Sequence, residues 1–373
     1  MTAYGYDISL VRSGPEQYAS ANGAASDFAE LTKGFGNPGV ISGVNAWSAY
    51  SAYAGETVDQ VHVEHYDGSV SERDFARLAE NLRDADVIVA IGGGRVIDTS
   101  KEVANRVGVP LIAVPTIAAT CAAWSPFTVA YDEHHHWKGA LTHDYGPFKV
   151  VLDPALLVHS PSRYLLGGIG DTLAKWYEAY PLYHRLGEQG TRGLLDVVAM
   201  DSAKVSRDVI LEHAEQAIAD IDAGVASDAV ADVATAIIPG AGLVGSLSRR
   251  LGSSGAHAIH NALTQVEGAE HYLHGEKVGY GILILLKSLH DQETYDYLRA
   301  FYARIGMPGS LEELGVAASD ENIEAISAFA AVCQNRQYAR AIPDIDAVTI
   351  AKAIREVEED AVAIRGLDIG KAS

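Results

Sequence analysis

The sequence predicts an α/β N-terminal domain followed by an all-α C-terminal domain, and two observations support this fold class. Short β-rich segments alternate with amphipathic segments up to about residue 153, a pattern typical of a parallel sheet wound with helices. After residue 163 the β-rich segments disappear, and long periodic segments rich in Ala and Leu follow. We therefore expect two domains, 1–160 and 161–373.

The individual elements follow from periodicity and residue type. Strands are predicted where β-branched and other apolar residues form short runs, at residues 39–44, 60–63, 86–91, 110–114 and 149–152. Helices of the second half are predicted where apolar residues recur at helical spacing, including residues 164–180, 194–218, 228–247 and 323–333. Because no low-complexity linker separates the halves, we expect them to pack around a shared cleft.

Composition restricts the function classes. The formal net charge of −21 and the lack of a dense Lys/Arg run argue against nucleic-acid or anionic-membrane partners. With only two cysteines, Cys121 and Cys333, a disulfide framework is not expected, and a reducing cytoplasm fits best. The most apolar stretch, residues 278–286, is too short to span a bilayer. We expect a cytoplasmic homo-oligomer that binds a small molecule.

Three consecutive glycines follow the predicted strand 86–91. Gly92-Gly93-Gly94 stand between that strand and a helical segment, where backbone amides can approach a pyrophosphate and the helix N-terminus adds positive charge. The spacing differs from G-x-G-x-x-G, and a plain tight turn is the alternative. Thr116 and Thr120 follow the next strand, where hydroxyls commonly line a ligand crevice. The first domain is thus predicted to bind a nucleotide, although Thr116 and Thr120 could also belong to an ordinary polar loop.

Two histidine-containing segments and one upstream carboxylate could form an open divalent-metal site. His257 and His274 lie on separate helical segments, and Asp171 could face them; imidazole and carboxylate suit zinc or ferrous iron. Structural or surface histidines are the alternative. His271 could replace His274 as a ligand, being one helical turn away. Residues 134–136, three adjacent histidines in a polar turn, are interpreted as surface, since they cannot all face one ion.

These motifs together resemble the iron-containing alcohol dehydrogenase superfamily, in its glycerol dehydrogenase branch. The resemblance covers nearly the whole chain and rests on Gly92-Gly93-Gly94 with Asp98, Pro115-Thr116, Gly170-Asp171, His257-Ala-Ile-His260-Asn261 and His274-Gly-Glu-Lys-Val278. Within the branch, residues 115–126 and 164–179 are most similar to an NADPH-dependent reductase of 2-oxo acids. The resemblance implies a dehydroquinate synthase-like fold, with a dinucleotide-binding domain, a helical domain and a catalytic metal between them.

Carried over by position, the resemblance implies site residues as well. The metal ligands would be Asp171, His257 and His274, and His260, one turn from His257, would be a proton relay. Cofactor contacts would come from Gly93, Gly94, Asp98, Thr116, Thr120, Ser125, Phe127 and Tyr131.

Two departures from the glycerol dehydrogenases bear on specificity. Cys121 stands where they carry an Asp that holds the polyol hydroxyls, which puts glycerol in doubt. Asn45 stands where the NAD-dependent relatives carry an Asp for the adenosine ribose, so the repulsion that would exclude a 2′-phosphate is absent. Asn45 could also simply terminate a strand.

Lys175 lies four residues after Asp171, so both side chains should share one helix face. The four-ligand iron enzymes of the superfamily carry a His ligand at this position. A lysine there could bind the carboxylate of a substrate whose carbonyl lies on the metal. An ordinary salt bridge from Lys175 to Asp171 or a contact with Glu178 is the alternative.

The sequence thus favours a metal-dependent NAD(P)H oxidoreductase that interconverts a small 2-oxo acid and its 2-hydroxy acid, with zinc favoured over iron because three ligands are expected. NAD-dependent oxidation of glycerol or another polyol in the same site is the close rival. A dehydroquinate synthase-type elimination would need a dense basic phosphate pocket, which the sequence does not indicate. A nucleotide-binding regulator without chemistry is disfavoured by the three retained ligands.

Overall fold

The structure, a computed structural model, describes residues 11–131 and 137–371. The chain divides into two compact units. The first contains the chain up to Leu165 together with Gln216–Arg249, and the second contains Leu166–Glu215 together with the chain from Arg250 onward. The sequence analysis placed a single division, at residue 160. It did not foresee that Gln216–Arg249 would group with the sheet.

The first unit contains a six-stranded parallel sheet in the order β1-β8-β5-β4-β2-β3. Its strands are β1 (Gln17–Ser20), β2 (Pro38–Ser42), β3 (Val63–His65), β4 (Val87–Gly92), β5 (Leu111–Pro115) and β8 (Lys149–Leu152). All six residues of β4 are buried, as expected for an inner strand covered on both faces. Five of the six strands overlap the predicted ones, and β1 was missed.

A second element of the first unit is an antiparallel hairpin that the sequence analysis did not predict. Its strands are β6 (Phe127–Tyr131) and β7 (Trp137–Thr142). The three histidines at residues 134–136 lie outside the described residues, so their interpretation as surface stays a prediction.

Helices of the first unit connect the strands and include two from later in the chain. They are α1 (Phe28–Leu31), α2 (Val44–Ala54), α3 (Glu72–Asn81), α4 (Gly94–Val107), α5 (Pro154–Leu157), α8 (Asp228–Thr235) and α9 (Ala241–Leu247). A π-helical turn, Ala236–Gly240, joins α8 to α9 and contains Pro239, where proline removes a helical hydrogen bond.

The second unit is helical throughout its described residues. It contains most of α6 (Arg163–Glu188) and α7 (Leu194–Asp222), and all of α10 (Gly255–Leu263), α11 (His274–Ser288), α12 (Gln292–Ile305), α13 (Asp320–Arg336) and α14 (Ala347–Lys371). The predicted fold class, an α/β domain followed by helices, is confirmed.

Within the described residues one helical stretch, Asp228–Leu247, is long and apolar enough to cross a membrane by composition. This stretch, rather than residues 278–286, therefore comes nearest to a membrane span. In its most apolar window 61% of the residues are buried. Buried core helices have the same composition, so this feature is weak evidence for a membrane segment.

Candidate active site

Strand register brings the predicted nucleotide-binding residues to one edge of the sheet. Ser42 of β2 pairs with Ile91 of β4, and Gly92 pairs with Pro115 of β5. The three strands are parallel and end at matching positions, so the segments that follow them begin at the same edge. Asn45, the glycine turn and Thr116 therefore all begin at the carboxyl ends of neighbouring strands, where open α/β sheets bind ligands.

The glycine turn is closely covered by the segment after β5. Gly93 is the extended N-cap of α4 and has no side-chain cap. A Cβ atom on Gly93 would lie 2.6 Å from Ile117 Cδ1, and one on Gly94 would lie 2.9 Å from Thr120 Oγ1. A side chain at either position would therefore require Ile117 or Thr120 to shift. The backbone amides that begin α4 can reach a bound phosphate without a side chain in the way.

A buried lysine on α4 holds the loop that carries Ser125 and Phe127. Lys101 Nζ donates to the carbonyl oxygens of Ala122, Ser125 and Phe127 and lies 2.7 Å from Asp98 Oδ1. Asp98 also accepts from the Val129 amide at 3.0 Å. Burial raises the pKa of Asp98, with Lys101 acting in the opposite direction. The contacts of Asp98 are thus with Lys101 and β6.

The remaining predicted cofactor and substrate residues of the first unit lie on several different elements. Asn45 is exposed in the first turn of α2. Phe127 begins β6, where the Arg249 guanidinium lies 4.4 Å from its ring centroid. Tyr131 ends β6, and its side chain lies outside the described part of the chain. Cys121 is partly buried.

Arg95, which the sequence analysis did not consider, is exposed in the first turn of α4. Burial raises the pKa of Tyr66, and the charge of Arg95 lowers it. Tyr66 in turn lies beside Gly43, because a Cβ on Gly43 would be 3.2 Å from Tyr66 Cε1. That Cβ would also lie 3.8 Å from Val96 Cγ2, so the first turn of α4, which carries Arg95, lies beside the β2–α2 turn that leads to Asn45.

In the second unit, glycines allow α6 and α11 to approach closely. A Cβ on Gly170 would overlap the Gly275 carbonyl, and a Cβ on Gly275 would overlap the Gly167 carbonyl. The residues next to these facing glycines are thereby brought close together: Asp171 follows Gly170 on α6, and His274 precedes Gly275 at the start of α11.

Asp171, His257 and His274 converge on one point. Asp171 Oδ1 lies 3.4 Å from His257 Nε2 and 3.6 Å from His274 Nε2. One potential ligand atom from each residue lies within 4.8 Å of the others, and no other such group occurs among the described residues. Two imidazoles and a carboxylate with this convergence fit a divalent cation. His271, in the short turn Ala269–His271, is not in the cluster.

Neighbouring groups keep the Asp171 carboxylate of this cluster ionised. Burial raises the pKa of Asp171, but the charge of Lys175 and the hydrogen bonds of the two imidazoles lower it well below its usual range. The Asp171 carboxylate is therefore ionised and available as a ligand. Lys175 Nζ lies 3.3 Å from Asp171 Oδ1, with 21% of the Lys175 side chain exposed. The position four residues after Asp171 does reach the cluster.

Glu178 orients His257, a role that the sequence analysis missed. Glu178 Oε2 lies 2.7 Å from His257 Nδ1, while Oε1 accepts the amides of Ser254 and His257 at 2.7 and 3.0 Å. Burial by itself would lower the pKa of His257. Glu178 and Asp171 have the opposite and larger effect, and they raise this pKa to about 9. Glu178 thus satisfies the N-terminus of α10 and directs Nε2 of the His257 ring at Asp171. The available signal was its position seven residues after Asp171, on the same helix face.

Known proteins resemble this chain in sequence and fold. The model of the iron-containing alcohol dehydrogenase family matches residues 15–154. Hydroxycarboxylate dehydrogenase A of Escherichia coli (strain K12) is 41% identical over 251 residues, covering 67% of this chain and 68% of that protein. Glycerol dehydrogenase of Citrobacter freundii is 34% identical over 260 residues, covering 68% of this chain and 70% of that protein.

A solved structure of similar fold is that of a probable glycerol dehydrogenase from Sinorhizobium meliloti 1021, with a TM-score of 0.82, 28% identity, and coverage of 95% of this chain and 99% of that one. Together with the sheet and the Asp-His-His cluster, these relatives define an NAD-type dehydrogenase that acts on a CH–OH group. The chain belongs to the iron-containing alcohol dehydrogenase family, as the motifs predicted.

Proposed function

We propose that this protein interconverts a small 2-oxo acid and its 2-hydroxy acid by hydride transfer with NAD(P)H. The observation that carries the proposal is the Lys175 ammonium beside the Asp171 carboxylate, on the helix face that reaches the cluster. A fixed positive charge at this point favours a substrate that bears a carboxylate. The higher identity to hydroxycarboxylate dehydrogenase A than to glycerol dehydrogenase points the same way.

Asp171, His257 and His274 would hold one divalent cation, and the three protein ligands favour zinc over iron. A cation held there supplies Lewis-acid polarisation of a carbonyl oxygen. The chain's own residues prepare the site: Glu178 fixes the His257 ring, and Lys175 keeps Asp171 ionised. With 40% of its side chain exposed, His274 leaves the cluster accessible to a substrate from its side.

The dinucleotide would bind at the glycine turn, where it supplies the hydride. The amides of Gly93 and Gly94 would receive the pyrophosphate, and Thr116 and Thr120 would lie beside it. Ser125, Phe127 and Tyr131 would contribute from the following loop and β6, with Lys101 fixing the carbonyls of the first two. Asp98 would act on the cofactor indirectly, because its carboxylate accepts from the Val129 amide and so positions β6.

Oxidation of glycerol or another polyol is the rival, supported by the several glycerol dehydrogenases among the relatives. Cys121 counts against it, since a thiol replaces the carboxylate expected to hold hydroxyls. We further propose a cytoplasmic protein without nucleic-acid or membrane partners, on the basis of the −21 charge and the two cysteines.

We expect Lys175→Met to lower kcat/KM for 2-oxo acids by about tenfold to a hundredfold, while neutral ketones and aldehydes lose much less. The reason is that a charge-assisted hydrogen bond to a carboxylate contributes about 1.5–3 kcal/mol. Initial rates on matched charged and neutral substrates measure the difference. Lys204→Met, which removes an exposed lysine paired with Asp208 on α7, is the control and should change neither rate. An equal loss on both substrate classes would make Lys175 a structural partner of Asp171 and favour the polyol reaction.

We also expect NADPH to be accepted at least as well as NADH. Asn45 carries no charge that would repel a 2′-phosphate, and Arg95 offers a cation in the same region of the sheet edge. Asn45→Asp should shift the ratio of kcat/KM values toward NADH, measured for both coenzymes at one substrate concentration. Ser48→Asp, one turn further along α2 and exposed, controls for added charge alone. A strong wild-type preference for NADH would refute this expectation.

A further inference from the structure

The His274 ring contacts protein groups through both nitrogens. Nε2 faces Asp171, and Nδ1 lies 3.0 Å from His260 Nε2. An imidazole that ligates a cation must present a lone pair to it, so its other nitrogen carries the hydrogen. With Nε2 as the ligand atom, Nδ1–H of His274 donates to His260 Nε2.

Because His274 is the donor in this bond, the donor and the acceptor of each following hydrogen bond, from His260 outward, are also determined. His260, accepting at Nε2, carries its hydrogen on Nδ1, which lies 3.1 Å from Asn261 Oδ1. The Asn261 amide then donates through Nδ2 to Gln337 Oε1 at 3.2 Å, and Gln337 Nε2 donates to Ser253 Oγ at 2.8 Å. These residues form a hydrogen-bond chain of His260, Asn261, Gln337 and Ser253. Each of its donors and acceptors is oriented as the ligand role of His274 requires.

The outer end of the hydrogen-bond chain is anchored. Gln337 is 5% exposed and lies in the short helix Gln337–Arg340 that follows α13. Arg340 of the same turn donates to the Ser253 carbonyl at 2.6 Å. Buried side-chain amides are held in one orientation when both ends are bonded, because reversing an amide would place donor against donor and acceptor against acceptor.

We propose that His260 is a positioning residue that, through the hydrogen-bond chain, keeps the hydrogen of His274 on Nδ1 and its Nε2 lone pair on the metal. The proposal rests on the proposed metal site. It gives His260 a role different from the proton relay that the motif suggested. A relay would have to pass a proton outward from His260 Nδ1, but the acceptor there is the Asn261 carbonyl oxygen, and an amide has no labile acid–base proton to hand on.

The test measures Zn²⁺ affinity of the full-length protein by competition with a chromophoric chelator. His260→Phe removes the acceptor for His274 Nδ1–H and should weaken Zn²⁺ binding by about tenfold to a hundredfold, the range for lost partners of ligating groups. His260→Gln keeps a carbonyl oxygen that can accept the same hydrogen, and it should retain most of the affinity. If both variants lose turnover while Zn²⁺ affinity stays at the wild-type value, His260 is a relay and the proposal is wrong.

A second pair of variants changes Asn261 and leaves the contact between His260 and His274 in place. Asn261→Leu removes the acceptor for His260 and should weaken Zn²⁺ binding, whereas Asn261→Asp keeps an acceptor and should not. Equal affinities for this pair would overturn the proposal even if His260→Phe fails to fold. A wild-type protein that binds no stoichiometric Zn²⁺ would refute the metal site itself, and unchanged affinity in all four variants would refute only the role of His260.

Discussion

Asp171→Asn, His257→Ala and His274→Ala should each remove most of the bound metal and lower kcat by roughly a thousandfold or more. Each variant deletes one of three groups whose ligand atoms lie within 4.8 Å of one another. Lewis-acid catalysis contributes several kcal/mol to lowering the barrier, and each 1.36 kcal/mol is a factor of about ten in rate. Elemental analysis of the purified variants gives metal per chain, and initial rates give kcat.

His271→Ala is the matched control, since His271 is three residues from His274 but is not in the cluster. It should keep the metal stoichiometry and the rate of the wild type. The assignment of the ligands is wrong if any of the three cluster variants behaves as the wild type does, or if His271→Ala loses the metal.

Glu178→Gln should also lower metal affinity strongly, although Glu178 is not one of the three clustered ligands. The new carbonyl oxygen can still accept the amides of Ser254 and His257, which leaves an NH₂ group facing His257 Nδ1. Nδ1 must then accept, so the ring hydrogen moves to Nε2 and faces Asp171. We expect Zn²⁺ affinity to fall by at least about tenfold to a hundredfold, measured by chelator competition.

Glu358→Gln separates this effect from a general loss of stability. Glu358 is a buried carboxylate that accepts from Tyr280 Oη and the Leu311 amide at 2.9 and 3.0 Å. Its replacement should lower Tm without changing Zn²⁺ affinity. Wild-type affinity in Glu178→Gln, or an equal loss in Glu358→Gln, would contradict the orienting role of Glu178.

The sequence predicted the fold class well because strong local patterns determine it. Most of the predicted strands are short runs of apolar, often β-branched residues, and β4 is a continuous buried run of this kind that ends in glycine. Strand β1, with the sequence Gln-Tyr-Ala-Ser, is mostly exposed and carries no such signal. In the hairpin, β6 is rich in strand-forming residues, a signal that the sequence analysis overlooked. Gln216–Arg249 belongs to the unit of the sheet through tertiary contacts, and hydrophobic periodicity does not predict such contacts.

The cluster itself was predictable because its residues lie in contiguous motifs. Asp171, His257 and His274 stand in short strings typical of the family, and the structure brings the three together. Helical spacing places Glu178 on the face of Asp171, but the roles of Glu178 and Gln337 depend on packing between α6, α10 and the turn after α13, which the sequence does not give. Arg95 directly follows the glycine triplet, but only the fold brings the first turn of α4 beside the β2–α2 turn.

The most direct test of the central claim compares substrates on the zinc-loaded full-length protein. The absorbance of the reduced nicotinamide is followed with NADPH and NADH on a panel of 2-oxo acids, and with the oxidised coenzymes on glycerol and other polyols. We expect the highest kcat/KM for a small 2-oxo acid, and we expect this activity to disappear when a chelator removes the metal and to return with Zn²⁺. Faster oxidation of glycerol, with no turnover of any 2-oxo acid, would contradict the proposed function.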